Sequence, residues 1–237
     1  MHPFLPGEPM APIARDDLPE GPDWGYQLKW DGVRALAVVE NGRVELYSRK
    51  MTRKDGVFPE VVRRLAQVRG SFVLDGEIVW FDAAQGRPVF QKVLQRERSR
   101  GAAHAQGAPI SYVLFDLIAA GGADLKARPY AERFALLREA FPASGDPALF
   151  ATELFADGRA LWAWVESHSW EGVVSRRLSA PYAEGKKHRD AYKKRAVRRF
   201  DALCVGIVLR AGRAASLVLS LDGAYFGRAS LGLTEAS

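Results

Sequence analysis

The stretch YQLKWDGVR, residues 26–34, places one lysine, Lys29, at the end of a short apolar run and follows it with an Asp-Gly turn. Arg34 then begins a second run with the pattern of a β-strand. We expect the chain to turn back directly after Lys29, so that the lysine amine faces a pocket rather than bulk solvent. Gly32 in the turn allows a ligand to approach the backbone closely.

A lysine in this setting has two interpretations. Positive charge from Arg34 and partial burial both favour the uncharged amine, which is the form that acts as a nucleophile. The alternative is an ordinary hairpin with an exposed lysine and a salt-bridged arginine, because short patterns often match by accident. The remainder of the chain has to decide between the two.

Composition excludes several classes of protein. The chain has 237 residues, of which 48% are hydrophobic, enough for a real core. A net charge of +6 suits a polyanionic partner. With Cys204 as the single cysteine there is neither an internal disulfide nor a zinc–thiolate cluster. No signal peptide or run of membrane-spanning length is present, so we expect a soluble cytoplasmic protein without membrane partners.

Hydrophobic periodicity predicts a mixed α+β body over residues 1–199 and the beginning of a small β-domain over residues 200–237. Residues 1–22 are a proline-rich lead-in, and residues 101–109 form a loop of small residues. Asn-Gly at 41–42 predicts a tight hairpin. Strands are predicted at 33–40, 43–49, 72–81, 110–118, 149–153, 171–176, 203–209, 215–221 and 224–227, and helices at 58–68, 88–98, 130–141 and 158–167.

Charged residues interrupt the apolar strands of the body. Burying such groups without partners is costly, so a fold that does this repeatedly is expected to gather them around one ligand. Glu77 and Glu171 are oxygen donors suited to Mg²⁺ or to a ribose hydroxyl, and Phe115 is placed to stack on a base. The cations suited to phosphate are Arg34, Arg49, Arg176, Lys193 and Arg195.

Together these residues describe a nucleoside triphosphate site that contains a lysine nucleophile. The sequence has no glycine-rich phosphate loop, so hydrolysis of the P-loop type is not indicated.

Six stretches occur in the order and spacing of the covalent nucleotidyltransferases, and the chain most closely resembles ATP-dependent DNA ligases of the bacterial end-joining type. The resemblance covers residues 9 to about 230. It implies an ATP-grasp-like adenylation domain of antiparallel sheets flanked by helices, followed by a partial OB-type β-barrel. The stretches are KWDGVR at 29–34, YSR at 47–49, LDGE at 74–77, YVLFDL at 112–117, WEGVVSR at 170–176 and DAYKKR at 190–195.

The resemblance implies that Lys29 attacks the α-phosphate of ATP, releases pyrophosphate and holds AMP through a phosphoramide. Gln27 and the backbone of Leu28 would read adenine from its edge, and Phe115 would stack on its face. Glu77 would bind the ribose and serve as a second metal ligand.

At the phosphates, Glu171 would hold the catalytic Mg²⁺ or Mn²⁺. Lys193, Arg176 and Arg195 would neutralise the α-phosphate. The remaining two arginines, Arg34 and Arg49, would contact the ribose or the phosphate at a nick.

AMP would then pass to a 5′-phosphate, and a 3′-hydroxyl would displace it. The implied substrate is nicked or broken duplex DNA, with end-binding repair proteins as further partners. The implied protein is a monomer of the bacterial cytoplasm, associated with the nucleoid.

The sequence departs from the family pattern at several positions. Met51 replaces a glycine, Arg176 and Arg195 replace lysines, and Ala191 replaces a tryptophan. The tail supplies only the first strands of a barrel, without the last basic motif. Two alternatives therefore stay open: an RNA ligase or capping-type nucleotidyltransferase, and a catalytically degenerate ligase-like module that binds DNA.

Overall fold

The computed structural model describes residues 2–99, 109–197 and 201–230. The chain divides into two compact units, Met1–Ala196 and Val197–Ser237, whereas the sequence pattern places the boundary after residue 199. Most of the predicted loop at 101–109 lies outside the described residues.

The first unit is built from eleven strands and four helices among the described residues. The helices are α1 (Pro59–Leu65), α2 (Phe90–Arg98), α3 (Tyr130–Ala140) and α4 (Gly158–Ser167). The strands are β1 (Ile13–Ala14), β2 (Trp24–Leu28), β3 (Val33–Glu40), β4 (Arg43–Ser48), β5 (Ser71–Asp82), β6 (Arg87–Pro88), β7 (Ile110–Ala120), β8 (Ala123–Asp124), β9 (Leu149–Ala151), β10 (Gly172–Arg177) and β11 (Ala191–Arg195).

Two sheets organise this unit. A seven-stranded sheet has the order β4-β3-β5-β7-β8, with β6 paired to β5 and β9 paired to β7. A four-stranded sheet has the order β1-β11-β10-β2. Most pairings are antiparallel, the exceptions being β7 with β9 and β1 with β11. The predicted α+β class, with antiparallel sheets flanked by helices, is confirmed.

The lysine stretch connects the two sheets. Since β2 belongs to the four-stranded sheet and β3 to the seven-stranded sheet, residues 29–32 cross from one to the other. The expectation that the chain turns back on itself after Lys29 is therefore wrong. The crossing places the lysine where both sheets can contribute residues around it.

The residues at 41–42 explain the hairpin between β3 and β4 of the larger sheet. Asn41 and Gly42 have φ angles of 50° and 82°, as the predicted tight hairpin between β3 and β4 requires. Asp75-Gly76-Glu77 belongs to a strand. These residues lie inside β5, where the register against β7 shifts between Asp75 and Gly76. Likewise β7 continues past Asp116 to Ala120.

The core of the first unit consists of separate apolar clusters, with Leu74 and Leu114 in one and Leu36 and Ile118 in another. Leu36, Leu74, Leu114 and Ile118 are fully buried. Among the described residues, no helix is both long and apolar enough to cross a membrane.

The second unit is an antiparallel meander of β12 (Leu203–Arg210), β13 (Arg213–Leu221) and β14 (Ala224–Ala229). Its pairing carries register shifts at Cys204/Gly206 and at Leu219/Ser220. Such bulges bend strands and are common in curved and closing sheets. The meander agrees with the expected OB-like beginning.

Candidate active site

A cavity of about 700 Å³ lies in the first unit and is lined by residues from both sheets. All eleven residues that the sequence analysis assigns to the nucleotide site line this cavity. They are Gln27, Leu28, Lys29, Arg34, Arg49, Glu77, Phe115, Glu171, Arg176, Lys193 and Arg195.

Strand register explains how the four-stranded sheet presents its polar groups. Gln27 of β2 and Lys193 of β11 both pair with Val174 of the strand between them. Residues paired across antiparallel strands share one face, so these side chains form a row on the cavity side. On the seven-stranded sheet Arg34 and Glu77 are paired in the same way.

Lys29 is held against the start of β10. Its backbone N–H donates to the carbonyl of Gly172 at 2.9 Å, and its Nζ donates to Oε2 of Glu171 at 2.6 Å. Arg195 Nε lies 3.5 Å from the other oxygen of this carboxylate. The charge nearest the amine is therefore the Glu171 carboxylate, whereas the sequence led us to expect that of Arg34.

Gly32 and Gly172 each lie so close to a neighbouring strand that a side chain would not fit. A Cβ on Gly172 would lie 2.1 Å from the carbonyl oxygen of Lys194, and one on Gly32 would lie 2.3 Å from that of Ile78. Side chains at these positions would force the strands apart. The group that approaches Gly32 is thus a neighbouring strand, where the sequence predicted a ligand.

Arg34 is committed to a buried ion pair. Its Nε donates to Oδ1 of Asp75 at 2.8 Å, and the hydroxyl of Tyr182 donates to Oδ2 of the same carboxylate at 2.8 Å. Burial opposes the charge on the guanidinium, but the Asp75 carboxylate more than offsets this and raises the pKa of Arg34. The backbone N–H of Met10 in turn donates to the Tyr182 hydroxyl at 3.1 Å. No signal in the sequence pointed to Tyr182.

Phe115 lies among cations at the inner end of the cavity. The guanidinium carbons of Arg176 and Arg34 lie 5.0 Å and 5.4 Å from the centre of its ring. Arg176 Nη1 is 3.9 Å from Oδ2 of Asp116, and its buried Nε has no hydrogen-bond partner in the part of the chain that the structure describes. This end of the cavity therefore combines an aromatic ring with a buried donor.

Three carboxyl groups surround the lysine, and two have perturbed acidity. Burial raises the pKa of Glu77 to about 8, against the opposing influence of Lys29 and Arg34. Burial, and then the charge of Glu171, raise the pKa of Asp31. Asp31 lines the cavity but was missed as a site residue, although its place two residues after the lysine was a usable signal.

A divalent cation would fit this group of acids, because it would relieve the repulsion between Asp31 and Glu171. The described residues contain no cluster of three or more His, Cys, Asp or Glu side chains arranged to hold a metal ion. A cation here would accordingly need oxygen ligands from water or from a bound phosphate.

The cavity carries an excess of positive charge. Burial and the neighbouring charge of Arg195 lower the pKa of Lys193. Nine Lys or Arg side chains and four carboxylates line the cavity as a whole. Such an excess suits a polyphosphate ligand.

Arg49 follows β4 on an exposed loop at the mouth of the cavity. Two residues later Met51 has a φ of 59°, in the left-handed region that favours glycine. The turn is therefore the one for which a glycine is expected, although this chain places a methionine there.

Comparisons with known proteins identify the family of the chain. The family model described as "ATP dependent DNA ligase domain" matches residues 13–195. The chain belongs to this family. DNA ligase C2 of Mycolicibacterium smegmatis is 31% identical over 95% of this chain and 64% of its own length. The multifunctional non-homologous end joining protein LigD of Pseudomonas aeruginosa is 32% identical over 93% of this chain and 27% of its own length.

Solved structures give the same result for the fold. A mycobacterial DNA ligase D complexed with ATP and MES is 28% identical, with a TM-score of 0.69 over 96% of this chain and 73% of that one. The ligase domain of M. tuberculosis LigD is 27% identical, with a TM-score of 0.65 over 97% and 74% of the two chains. Of the two curated relatives, DNA ligase C2 and the LigD protein of Pseudomonas aeruginosa, the chain spans less than two thirds of the length of each.

Proposed function

We propose that this chain is the nucleotide-activating part of an ATP-dependent DNA ligase, working through a lysyl-AMP intermediate. The observation that carries the proposal is the position of Lys29: its amine lies at the junction of the two sheets, inside a cavity lined by eight other lysines and arginines. Membership of the ligase family supports this reaction.

The proposal assigns the inner end of the cavity to the adenosine. Phe115 offers a ring for the base, and Gln27 and the backbone of Leu28 offer hydrogen-bonding groups at its edge. Glu77 would bind the ribose. With a pKa of about 8, its carboxyl is mostly protonated at neutral pH and can both donate to and accept from a hydroxyl.

The outer end is assigned to the phosphates. Lys193 and Arg195 would neutralise the α-phosphate, with Arg176 supplying charge from behind Phe115. Arg49 is free to reach a phosphate of the nucleotide or of the nick. Arg34 is bound by Asp75, so its role would be to fix the shape and potential of the cavity wall.

The chemistry follows from the position of the amine. The Nζ of Lys29 would form a bond to the α-phosphorus while the bond from that phosphorus to the pyrophosphate oxygen breaks. Before attack the ammonium must lose a proton, and the carboxylate of Glu171 at 2.6 Å is the nearest acceptor. Transfer to Glu171 would leave the amine neutral and its lone pair available.

Mg²⁺ or Mn²⁺ is the cofactor we propose beside ATP, with Glu171 as the principal protein ligand and Glu77 or Asp31 near it. When bound, the ion would neutralise charge on the phosphates and favour departure of pyrophosphate.

The proposed substrate is nicked or broken duplex DNA, because the relatives carry the names of DNA ligases. End-binding repair proteins are the proposed partners, since one relative is named for non-homologous end joining. We propose further that the protein acts as a monomer in the bacterial cytoplasm, on nucleoid DNA.

A sealing assay tests the whole proposal. A duplex with one nick, 5′-labelled at the break, is incubated with the chain, ATP and Mg²⁺, and the length of the labelled strand is read on a denaturing gel. We expect joined DNA with ATP, and no joining with Lys29→Ala.

A second substrate isolates the last step. DNA already carrying AMP at the nick requires no attack by Lys29, so we expect Lys29→Ala to seal it. DNA that stays open under both conditions, although the chain binds it in a salt-dependent manner, would contradict ligation and favour a binding module.

A further inference from the structure

A chain of two hydrogen bonds fixes the side chain that faces the base end of the cavity. Gln27 Nε2 donates to the hydroxyl of Tyr130 at 2.9 Å, and that hydroxyl donates to the backbone carbonyl of Phe115 at 2.9 Å. Gln27 lines the cavity, whereas Tyr130 does not line it and is 2% exposed.

Proton counting determines which end of the Gln27 amide meets Tyr130. A backbone carbonyl can only accept, so the single hydroxyl proton of Tyr130 must go to Phe115. The hydroxyl is then left with lone pairs only, and the group that faces it must donate. Gln27 therefore has to present its NH₂ to Tyr130, whichever way the amide is drawn.

The other end of the amide is consequently an acceptor turned away from Tyr130. Among the described residues, none donates a hydrogen bond to Oε1 of Gln27. An amide oxygen next to a cavity that takes a purine is suited to a ligand N–H group.

We propose that Tyr130 is a positioning residue that selects adenine over guanine by fixing the orientation of the Gln27 amide. The inference rests on the proposed function, because it deepens the account of the same nucleotide site. Adenine presents a donor, its N6 amino group, where guanine presents the O6 acceptor. An oxygen held toward that position accepts from adenine and repels guanine.

The surroundings keep Tyr130 in place. Its backbone N–H donates to the carbonyl of Ala180 at 2.8 Å. The guanidinium carbons of Arg176 and Arg133 lie 5.3 Å and 5.5 Å from the centre of its ring. Burial raises the pKa of Tyr130, so the hydroxyl stays protonated throughout the working pH range and the direction of both hydrogen bonds is maintained.

The test is Tyr130→Phe, which removes the hydroxyl and keeps the ring. Without the hydroxyl the Gln27 amide is free to rotate by 180° and to offer its NH₂ to guanine O6. We expect the ratio of GTP to ATP affinity, measured by calorimetric titration, to rise about tenfold, as the loss of one directed hydrogen bond predicts. The rates of covalent labelling with α-labelled GTP and ATP give a second ratio, which we expect to rise in the same direction.

Tyr112→Phe is the matched control. Tyr112 is also fully buried, lies in β7, and donates its hydroxyl to a backbone carbonyl, that of Ala35, at 2.8 Å. Its removal should cost comparable stability and leave the nucleotide ratio unchanged. An equal change of the ratio in both variants would overturn the assignment to Tyr130.

Gln27→Glu tests the same inference without changing Tyr130. A carboxylate offers only acceptors, so the group presented to the base stays an acceptor and the preference for ATP should persist within about threefold. A gain in ATP preference of tenfold or more would show that Gln27 normally presents its NH₂, and would refute the proposal. In the Gln27→Glu background, Tyr130→Phe should no longer alter the ratio.

The outcomes separate this inference from the proposed function. Binding of ATP with no covalent label would count against the ligase chemistry, while the affinity ratio would still decide the role of Tyr130. Labelling by ATP with an unchanged ratio in Tyr130→Phe would leave the ligase proposal standing and overturn the selection by Tyr130.

Discussion

The two sheets that form the cavity treat their charged residues in opposite ways. On the seven-stranded sheet, Arg34 is paired with Asp75, and Asp116 receives two hydrogen bonds from Arg133 at 2.8 Å and 3.0 Å. On the four-stranded sheet, Lys193 lies among other cations, and Glu171 is shared between Lys29 and Arg195.

This difference separates the charged groups that support the fold from those that are available to bind a ligand. When charges are paired at full burial, removing one partner strongly destabilises the protein, because the other charge is left buried without compensation. Charges of one sign gathered at a cavity repel one another, which is tolerated where a ligand of opposite charge will bind. The charged pairs of the larger sheet are therefore structural, although Glu77 and Phe115 of that sheet also face the proposed ligand. The wall formed by the smaller sheet is reactive. We call the two sides the structural wall and the reactive wall.

The largest expected effect is on the structural wall. Asp75→Asn removes the charge that Arg34 and the hydroxyl of Tyr182 both contact, and leaves a buried guanidinium unpaired. We expect the free energy of unfolding, from urea denaturation, to fall by about 3–5 kcal/mol. Glu20→Gln, which breaks the exposed pair with Arg159, should leave the midpoint unchanged; equal losses would erase the contrast between buried and surface pairs.

A smaller loss of stability, with a large loss of activity, is expected at the junction of the two walls. Gly172→Ala would push against the carbonyl of Lys194 and displace both Glu171 and Lys29. We expect a loss of about 2–3 kcal/mol in stability and of about 100-fold in the rate of adenylation.

Gly56→Ala is the control, because a Cβ there meets nothing within 4 Å. Urea denaturation and single-turnover labelling of both variants give the comparison. A Gly172→Ala chain that labels at the wild-type rate would show that the backbone contact at Gly172 does not position the lysine.

The pH dependence of stability tests Glu77, a carboxyl of the larger sheet to which no described residue donates a hydrogen bond. The pKa of Glu77 rises from 4.5 to about 8 on folding, so the folded state holds its proton more tightly than the unfolded state. Its contribution is complete below pH 4.5 and is lost as the pH rises through 8. Between pH 5 and 9, Glu77→Gln should gain about 4 kcal/mol relative to wild type.

Denaturation at both pH values measures this gain, and Glu97→Gln at the rim of the cavity is the control. A constant difference between Glu77→Gln and wild type across the range would mean that the carboxyl is already ionised in the folded protein at pH 5.

The smallest effect on stability is expected on the reactive wall. Lys193→Gln removes a partly buried cation that its neighbours repel, so stability should stay the same or rise by about 0.5 kcal/mol. ATP affinity should nevertheless fall about tenfold, through loss of one phosphate contact. Titration calorimetry checks the affinity, and a variant that loses stability while retaining affinity would place Lys193 with the structural residues.

Much of this arrangement could be predicted from the sequence. The hairpin at 41–42 follows from the local preference of Asn-Gly for positive φ. Most of the eleven cavity residues follow from charged or aromatic side chains placed in apolar strands, whereas Gln27 and Leu28 follow only from the resemblance to the nucleotidyltransferases. These signals are local, or depend on residue types that a buried strand would otherwise avoid.

The remainder depends on contacts between distant segments. That β2 and β3 belong to different sheets cannot be read from a short turn, because two neighbouring strands with an Asp-Gly connection have the pattern of a hairpin. Tyr130 and Tyr182 act through hydroxyl groups that reach other elements, and a buried tyrosine looks like any core residue in sequence. The pairing of Arg34 with Asp75 likewise depends on register within the sheet.

The most direct test of the account is covalent labelling of the chain by α-labelled ATP with Mg²⁺, followed by a denaturing gel. Lys54→Ala is the matched control, because Lys54 also lines the cavity and is paired with Glu97 at 2.7 Å. We predict label on wild type and on Lys54→Ala, and none on Lys29→Ala. Label that persists without Lys29, or wild type that binds ATP and never becomes labelled, would contradict the assignment of Lys29 as the nucleophile.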